Sequence, residues 1–240
     1  MFAGPNGSGK SELKKYLPPA LLGVYLNPDE IEAAVRQRGF LDFNDYGAAT
    51  AAEEGLAYLR RSQFLASAGL ADQVKRLGVA DSRLMFTDVK VNAYLASVAA
   101  DFLRRELLRQ QVSFTFETVM SSPDKVALLD HARHLGYRTY LYYIATDDPV
   151  INISRVRSRV SQGGHAVPED KIVSRYHRSL GLLLEAIQHT NRAYVFDNST
   201  DGMKSTWLAE ITDGRVLEMK SDRMPAWFKR AVLDKTAEQS

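Results

Sequence analysis

The 240-residue sequence predicts an α/β fold, with a mostly parallel sheet covered by helices on both faces. Three observations lead there. Short apolar runs rich in β-branched or aromatic residues recur at 1–3, Gly23–Leu26, Val112–Phe116, Arg138–Ile144 and Ala193–Phe196. Segments with helical periodicity or helix-boundary residues fall between those runs. The first run also leads directly into Gly4-Pro5-Asn6-Gly7-Ser8-Gly9-Lys10-Ser11, a glycine-rich connection from strand to helix.

The helices follow in order. Lys10–Tyr16 comes after the glycine-rich segment. Pro28–Arg38 opens with Asn27 as N-cap, Pro28 at the first position and Glu30 three residues after the cap. Pro123–Leu135 starts after Ser122 and stops at Gly136. Pro149–Gln162 and Pro168–His189 carry arginines. Residues 40–111, between the second and third strands, read as a helical insertion with helices Ala48–Ala68, Leu70–Leu77 and Asn92–Gln111. It either packs as a plain bundle or shapes a pocket. Near the C-terminus, Trp207–Ile211 and Val216–Met219 flank a Thr-Asp-Gly-Arg turn and predict a β-hairpin, followed by a helix Ala226–Lys235. One domain, 1–240, is expected to hold the insertion 40–111 and a lid region 154–178. Only Met1–Ala3 precede Gly4, so either the first strand is very short or the chain begins upstream.

Apolar content of 45% and charged content of 25% are those of a globular domain. A net charge of +2 does not point to a nucleic-acid partner. The positive charge is local: between 155 and 178 lie Arg155, Arg157, Arg159, Lys171, Arg175 and Arg178, with His165 and His177, against only Glu169 and Asp170. The chain has no cysteine, which excludes disulfides and thiolate metal sites and fits the cytoplasm. No signal peptide and no apolar run of membrane-spanning length are visible, so no membrane partner is expected.

Gly4–Ser11 matches G-x-x-x-x-G-K-[ST], the P-loop pattern. Glycines let successive N–H groups turn into one concavity that suits phosphate. The pattern assigns Gly4, Pro5, Asn6, Gly7, Ser8, Gly9, Lys10 and Ser11 to a nucleotide, with Lys10 reaching its terminal phosphates and the Ser11 hydroxyl ligating Mg²⁺. A three-layer P-loop NTPase fold using ATP and Mg²⁺ is therefore expected. The same wording is common in transporter-type ATPases, but those need a hydrophobic strand ending in Asp-Glu and an L-S-G-G-Q helix start. Here the acidic strand end is Phe116-Glu117-Thr118, and Ser161-Gln162-Gly163-Gly164-His165 only echoes the signature.

A small-molecule kinase needs a carboxylate at the end of the second strand and arginines on a mobile lid. Asp29 follows Leu26-Asn27-Pro28 at the carboxyl end of the second strand, where open α/β sheets bind ligands. Arg155 and Arg159 share a helix face, and Gly163-Gly164 and Pro168 mark a loop before Arg175 and Arg178.

These residues resemble the zeta-toxin-like P-loop kinases, in particular a bacterial branch often described as ABC-type ATPases. The matching pieces are Ala3–Ser11, Leu26–Ile31, Phe116-Glu117-Thr118, the block Ser154–Arg178, and Tyr194–Ser199 as the final strand. The resemblance implies a kinase that uses ATP and Mg²⁺, a UDP-activated amino sugar as acceptor and a neutralising antitoxin partner. It implies Asp29 as general base, Lys10, Arg155 and Arg159 acting on the phosphates, and Asp29, Glu117, Thr118, His165 and Arg175 toward the acceptor. Ser11 and Glu117 are implied at the metal. The family typically has Glu-Gly-Thr followed by an arginine after the third strand, where this chain has Glu117-Thr118-Val119-Met120-Ser121. A nucleic-acid end kinase and a nucleotide-binding regulatory module without acceptor transfer remain alternatives.

Overall fold

The computed structural model describes residues 1–164 and 166–239. In chain order its strands are β1 (Phe2–Ala3), β2 (Val24–Leu26), β3 (Phe40–Asp42), β4 (Gly78–Ala80), β5 (Arg83–Met85), β6 (Phe114–Thr118), β7 (Tyr140–Ala145), β8 (Arg192–Asp197), β9 (Thr206–Thr212) and β10 (Val216–Met219). Its α-helices are α1 (Pro28–Arg38), α2 (Ala52–Arg60), α3 (Gln63–Ser67), α4 (Ala71–Lys75), α5 (Ala93–Arg109), α6 (Asp124–His134), α7 (Pro149–Ser161), α8 (Glu169–Gly181) and α9 (Leu183–Gln188), before a C-terminal helical segment. The expected α/β architecture with a mostly parallel sheet is the one observed. The sheet has seven strands in the order β10-β9-β8-β7-β1-β6-β2, parallel from β8 to β2 and closed by the antiparallel hairpin β9–β10.

The chain divides into two compact units, Met1–Leu17 with Glu117–Ser240, and Pro18–Phe116. In the first unit, β1 runs parallel between β6 and β7, with Phe2 opposite Glu117 and Tyr142. A two-residue strand holds this place because Phe2 and Ala3 are fully buried and both of its edges are paired. Leu141, Tyr143, Ala193 and Val195 form one fully buried face of β7 and β8. Trp227 and Phe228, also fully buried, anchor the C-terminal segment. That segment is not one regular helix as expected: Lys229–Leu233 forms a π-helical turn between Ala226–Phe228 and Asp234–Gln239.

In the second unit, β2 pairs with Phe114–Phe116 of β6, and α5 packs against α1 and α2. Helix α5 buries Leu95, Leu103 and Leu107 completely along one stripe. The insertion is not purely helical. It also contains a three-stranded antiparallel sheet in the order β3-β5-β4, joined by the tight turn at Asp81 and Ser82. The expected helix Ala48–Ala68 is broken at Arg61 and Ser62, where the Ser62 side chain caps α3. Similarly, Pro168–His189 divides at Leu182 into α8 and α9. Ser122 does not cap α6; its hydroxyl turns to Asp124, and Pro123 occupies the cap position.

Candidate active site

The phosphate loop is built on the end of β1. The Gly4 amide donates to Thr118 O at 3.3 Å, tying the loop to the end of β6. The helix after the loop, Lys10–Tyr16, is a 3₁₀ helix rather than an α-helix. Its Tyr16 ring stacks on Phe196 at 5.1 Å and its hydroxyl meets Ser205 Oγ at 2.8 Å. Lys10 folds back over the loop, and its Nζ donates to Gly4 O at 2.8 Å and Pro5 O at 2.9 Å. Two asparagines hold the next carbonyls. Asn152 Nδ2 donates to Asn6 O at 2.5 Å, and Asn198 Nδ2 donates to Ser8 O at 2.8 Å. Within the loop, the Ser8 amide donates to Pro5 O at 3.3 Å and closes a turn.

Two glycines make the close fit possible. Gly7 (φ 74°) lies so near α7 that a Cβ there would sit 2.6 Å from Asn152 O. Gly9 (φ 98°) lies against Asn198, and a Cβ there would come within 2.5 Å of its Nδ2. Both backbones also occupy the positive-φ region that side chains disfavour. Ser8 Oγ and Asn6 Oδ1 are buried with no hydrogen-bond partner among the described residues. The Ser11 hydroxyl is exposed, while Glu117 is buried at the end of β6. The Thr118 hydroxyl accepts from the Met120 amide at 2.9 Å, bracing a loop in which Met120 adopts φ 52°. Among the described residues, no group of three or more His, Asp or Glu is placed to hold a metal ion.

The arginines expected on the lid are distributed differently from one another. Arg155 donates Nη1 to Asn198 O at 2.8 Å and grips Asp201 Oδ1 through Nε (3.0 Å) and Nη2 (2.6 Å). Arg157 pairs with Glu169 across the turn between α7 and α8. Arg159 is exposed at the end of α7, and Arg175 is half-buried on α8. His165 lies outside the described residues. In the second unit, Asn27 caps α1 as expected by accepting from the Asp29 amide at 2.9 Å, and the Asp29 side chain is exposed.

Sequence reasoning missed Asn152, Asn198, Asp197 and Asp201. Asp197 is buried and accepts from Trp227 Nε1 at 2.9 Å and Ser199 Oγ at 2.6 Å, fixing the turn that carries Asn198. The available signal was Asp197-Asn198-Ser199, a polar cluster at the carboxyl end of a parallel strand.

A glycine-rich loop at the end of a central parallel strand, with a lysine over it, gives this chain the arrangement of a P-loop protein. Its resemblance to the zeta-toxin-like P-loop kinases is borne out by the sequence model of the family described as Zeta toxin, which matches residues 88–201. That match starts after the phosphate loop, so the loop is an independent observation. An uncharacterized protein of Haemophilus influenzae is 30% identical over 69 residues, covering 29% of this chain and 49% of the relative. The crystal structure of AvrRxo1-ORF1:-ORF2 with ATP is similar with a TM-score of 0.53 at 15% identity, over 91% of this chain and 60% of that one. The AvrRxo1-ORF1:AvrRxo1-ORF2 structure with sulphate ions gives 0.54 at 15% identity, over 92% and 60%. The chain thus spans about half of the curated relative and three fifths of the structural neighbours. Among the described residues, no helix is long and apolar enough to cross a membrane.

Proposed function

We propose that the chain is an ATP- and Mg²⁺-dependent phosphotransferase of the zeta-toxin type, moving the ATP γ-phosphate to a hydroxyl of a small molecule. The observation that carries this reading is the loop Gly4–Ser11, with its carbonyls tied toward the protein and Lys10 Nζ lying over it. The fit to a triphosphate is chemical: a backbone nest, an ammonium that can leave two carbonyls for phosphate oxygens, and a buried, unpartnered Ser8 hydroxyl. Ser11 Oγ and the Glu117 carboxylate are hard oxygen donors suited to magnesium, which when bound would neutralise charge on the phosphates.

Asp29 is proposed as the general base from its position in the family motif. The acceptor hydroxyl would give its proton to the Asp29 carboxylate as its oxygen attacks the γ-phosphorus. The bond from that phosphorus to the β–γ bridging oxygen would break, and ADP would leave. Residues 154–178 are proposed as the lid, with Gly163 and Gly164 as hinge, Arg159 directed to the phosphoryl group and Arg175 to the acceptor. Arg155, which the sequence placed in the same set, is instead committed to Asp201 and Asn198 O. Thr118 and His165 are proposed on the acceptor side. The first acceptor class to test is a UDP-N-acetyl amino sugar. Crystals of AvrRxo1-ORF1 contain ORF2 and, in one case, ATP; these support ATP as donor and a protein partner of the antitoxin kind. A cytoplasmic setting, where ATP and such sugar nucleotides are supplied, follows from this reading.

The test is an acceptor screen with labelled ATP and Mg²⁺ over sugar nucleotides, other metabolites and nucleic-acid ends. Wild-type protein is expected to add one phosphate to a sugar nucleotide. Asp29→Asn is expected to cut transfer by ~10²-fold or more while leaving ATP affinity within a few-fold. Transfer by Asp29→Asn at the wild-type rate would remove the base assignment. ATP hydrolysis with no acceptor ever labelled would make the chain an ATPase.

A further inference from the structure

We infer that Asn152 and Asn198 are positioning residues that hold the phosphate loop in its binding shape, and that Arg155 acts through Asn198 rather than on the phosphates. The inference rests on the reading of Gly4–Ser11 as a triphosphate site and names what preorganises it.

The two amides hold alternate carbonyls of the loop, Asn6 O and Ser8 O. Asn152 is fully buried in the first turn of α7, and both ends of its amide are engaged: Nδ2 donates to Asn6 O, and Oδ1 accepts from the Thr146 hydroxyl. Its orientation is therefore determined. Asn198 is fixed at three points. Its amide donates to Ala145 O at 2.8 Å, its carbonyl accepts from Arg155 Nη1 at 2.8 Å, and its side chain donates to Ser8 O. Gly7 packs on the backbone of Asn152 and Gly9 on the side chain of Asn198, so each clamp has a hydrogen bond and a steric stop one residue further on.

Arg155 follows Asn152 by three residues, on the same face of α7. Three of its nitrogens are committed, Nη1 to Asn198 O and Nε with Nη2 to Asp201. In this arrangement, Asn152 holds the loop directly, and Arg155 holds the residue that holds the loop. The first half of α7 is thus the scaffold of the phosphate site. A nest held in shape before the ligand arrives avoids the cost of ordering it on binding.

The experiment uses the full chain with two probes, Mg²⁺-ATP and inorganic tripolyphosphate with Mg²⁺, measured by calorimetry. Hydrogen exchange of residues 4–11 is followed in the ligand-free protein. Asn198 is only half-buried, so Asn198→Ala is the primary variant, and Asn198→Asp keeps the shape while removing the donor. Both are expected to weaken the two probes by a similar factor, about five- to tenfold, because the lost element is loop shape rather than a base contact. Exchange in 4–11 is expected to accelerate while β7 and α8 stay unchanged. Arg155→Ala is expected to weaken binding in the wild-type background and to add less than twofold to Asn198→Ala, as two steps of one path do. Wild-type affinity and wild-type loop exchange in Asn198→Ala and Asn198→Asp would overturn the clamp. Fully multiplicative effects of Arg155→Ala and Asn198→Ala would overturn the indirect role of Arg155. Failure of the wild type to bind either probe would overturn the nucleotide reading itself, and this inference with it.

Discussion

Gly9→Ala measures how closely the phosphate loop is fitted to its surroundings. Gly9 has φ 98° and ψ 25°, a conformation that costs an L-residue about 1–2 kcal/mol. The added methyl would lie 2.5 Å from Asn198 Nδ2, well inside van der Waals contact. Relief requires the amide to swing away from Ser8 O and give up a hydrogen bond, a net loss of ~1 kcal/mol. The combined cost is about 2–3 kcal/mol, which for a chain of this size lowers the Tm by about 4–12 °C. Tripolyphosphate affinity should fall at least tenfold, about 1.4 kcal/mol, because the loop amides proposed to receive phosphate are displaced. Thermal denaturation followed by circular dichroism, with and without tripolyphosphate, reads both effects. A Tm within 1 °C of wild type together with unchanged affinity would refute the close packing of Gly9 on Asn198 and the loop geometry built on it.

Lys10→Ala should weaken ATP binding by about 10- to 100-fold in calorimetry, since it removes the fixed positive charge beside the nest; equal affinity would end the P-loop assignment. Gln111 is exposed with φ 56°, just past the end of α5, so Gln111→Gly should stabilise the chain by about 0.5–1 kcal/mol in chemical denaturation. A destabilised Gln111→Gly would mean the left-handed turn is not there. Burial alone would raise the Asp101 carboxyl, but the Arg104 charge and hydrogen bonds from Tyr58, Arg104 and Arg105 outweigh it and hold Asp101 well below the usual carboxylate range. A depressed carboxyl contributes stability above its unfolded value near pH 4, and loses it as pH falls further toward the folded value. Asp101→Asn should therefore be less stable at pH 7. Its stability should fall less steeply below pH 4, by up to about 1.4 kcal/mol per pH unit; parallel wild-type and mutant acid profiles would contradict this.

Features set by local chemistry were legible in the sequence. The glycine-rich loop between β1 and the following helix could be read because its three glycines, lysine and serine lie within eight consecutive residues. Helix α1 matched its predicted limits, Pro28–Arg38, because its cap and first turn are also contiguous. The hairpin strand Val216–Met219 matched for the same reason, its turn residues lying beside it. The three-residue strands β3, β4 and β5 were not legible, since such short runs carry no period that separates strand from helix, and they are stabilised by pairing with one another and by burying Leu41 and Leu84. The breaks at Ser62 and Leu182 were likewise missed, because helical periodicity continues across them.

What tertiary structure alone decided is what surrounds the loop. The sequence by itself determined a P-loop pattern at Gly4–Ser11 and the alternation of helices and strands behind it. It did not determine that β1 runs between β6 and β7, because parallel neighbours are chosen by which buried faces fit and not by order in the chain. Asn152 meets Asn6 across 146 residues, and Asn198 meets Ser8 across 190. An asparagine on a helix or at a strand end is an ordinary polar residue until the fold brings a carbonyl to its amide. Arg155 shows the same limit: its spacing with Arg159 put it on a basic helix face, whereas the fold turns it onto Asp201 and Asn198 O, 46 and 43 residues away. Side-chain type and local spacing determine which chemistry is available, and long-range packing determines which partner each group meets.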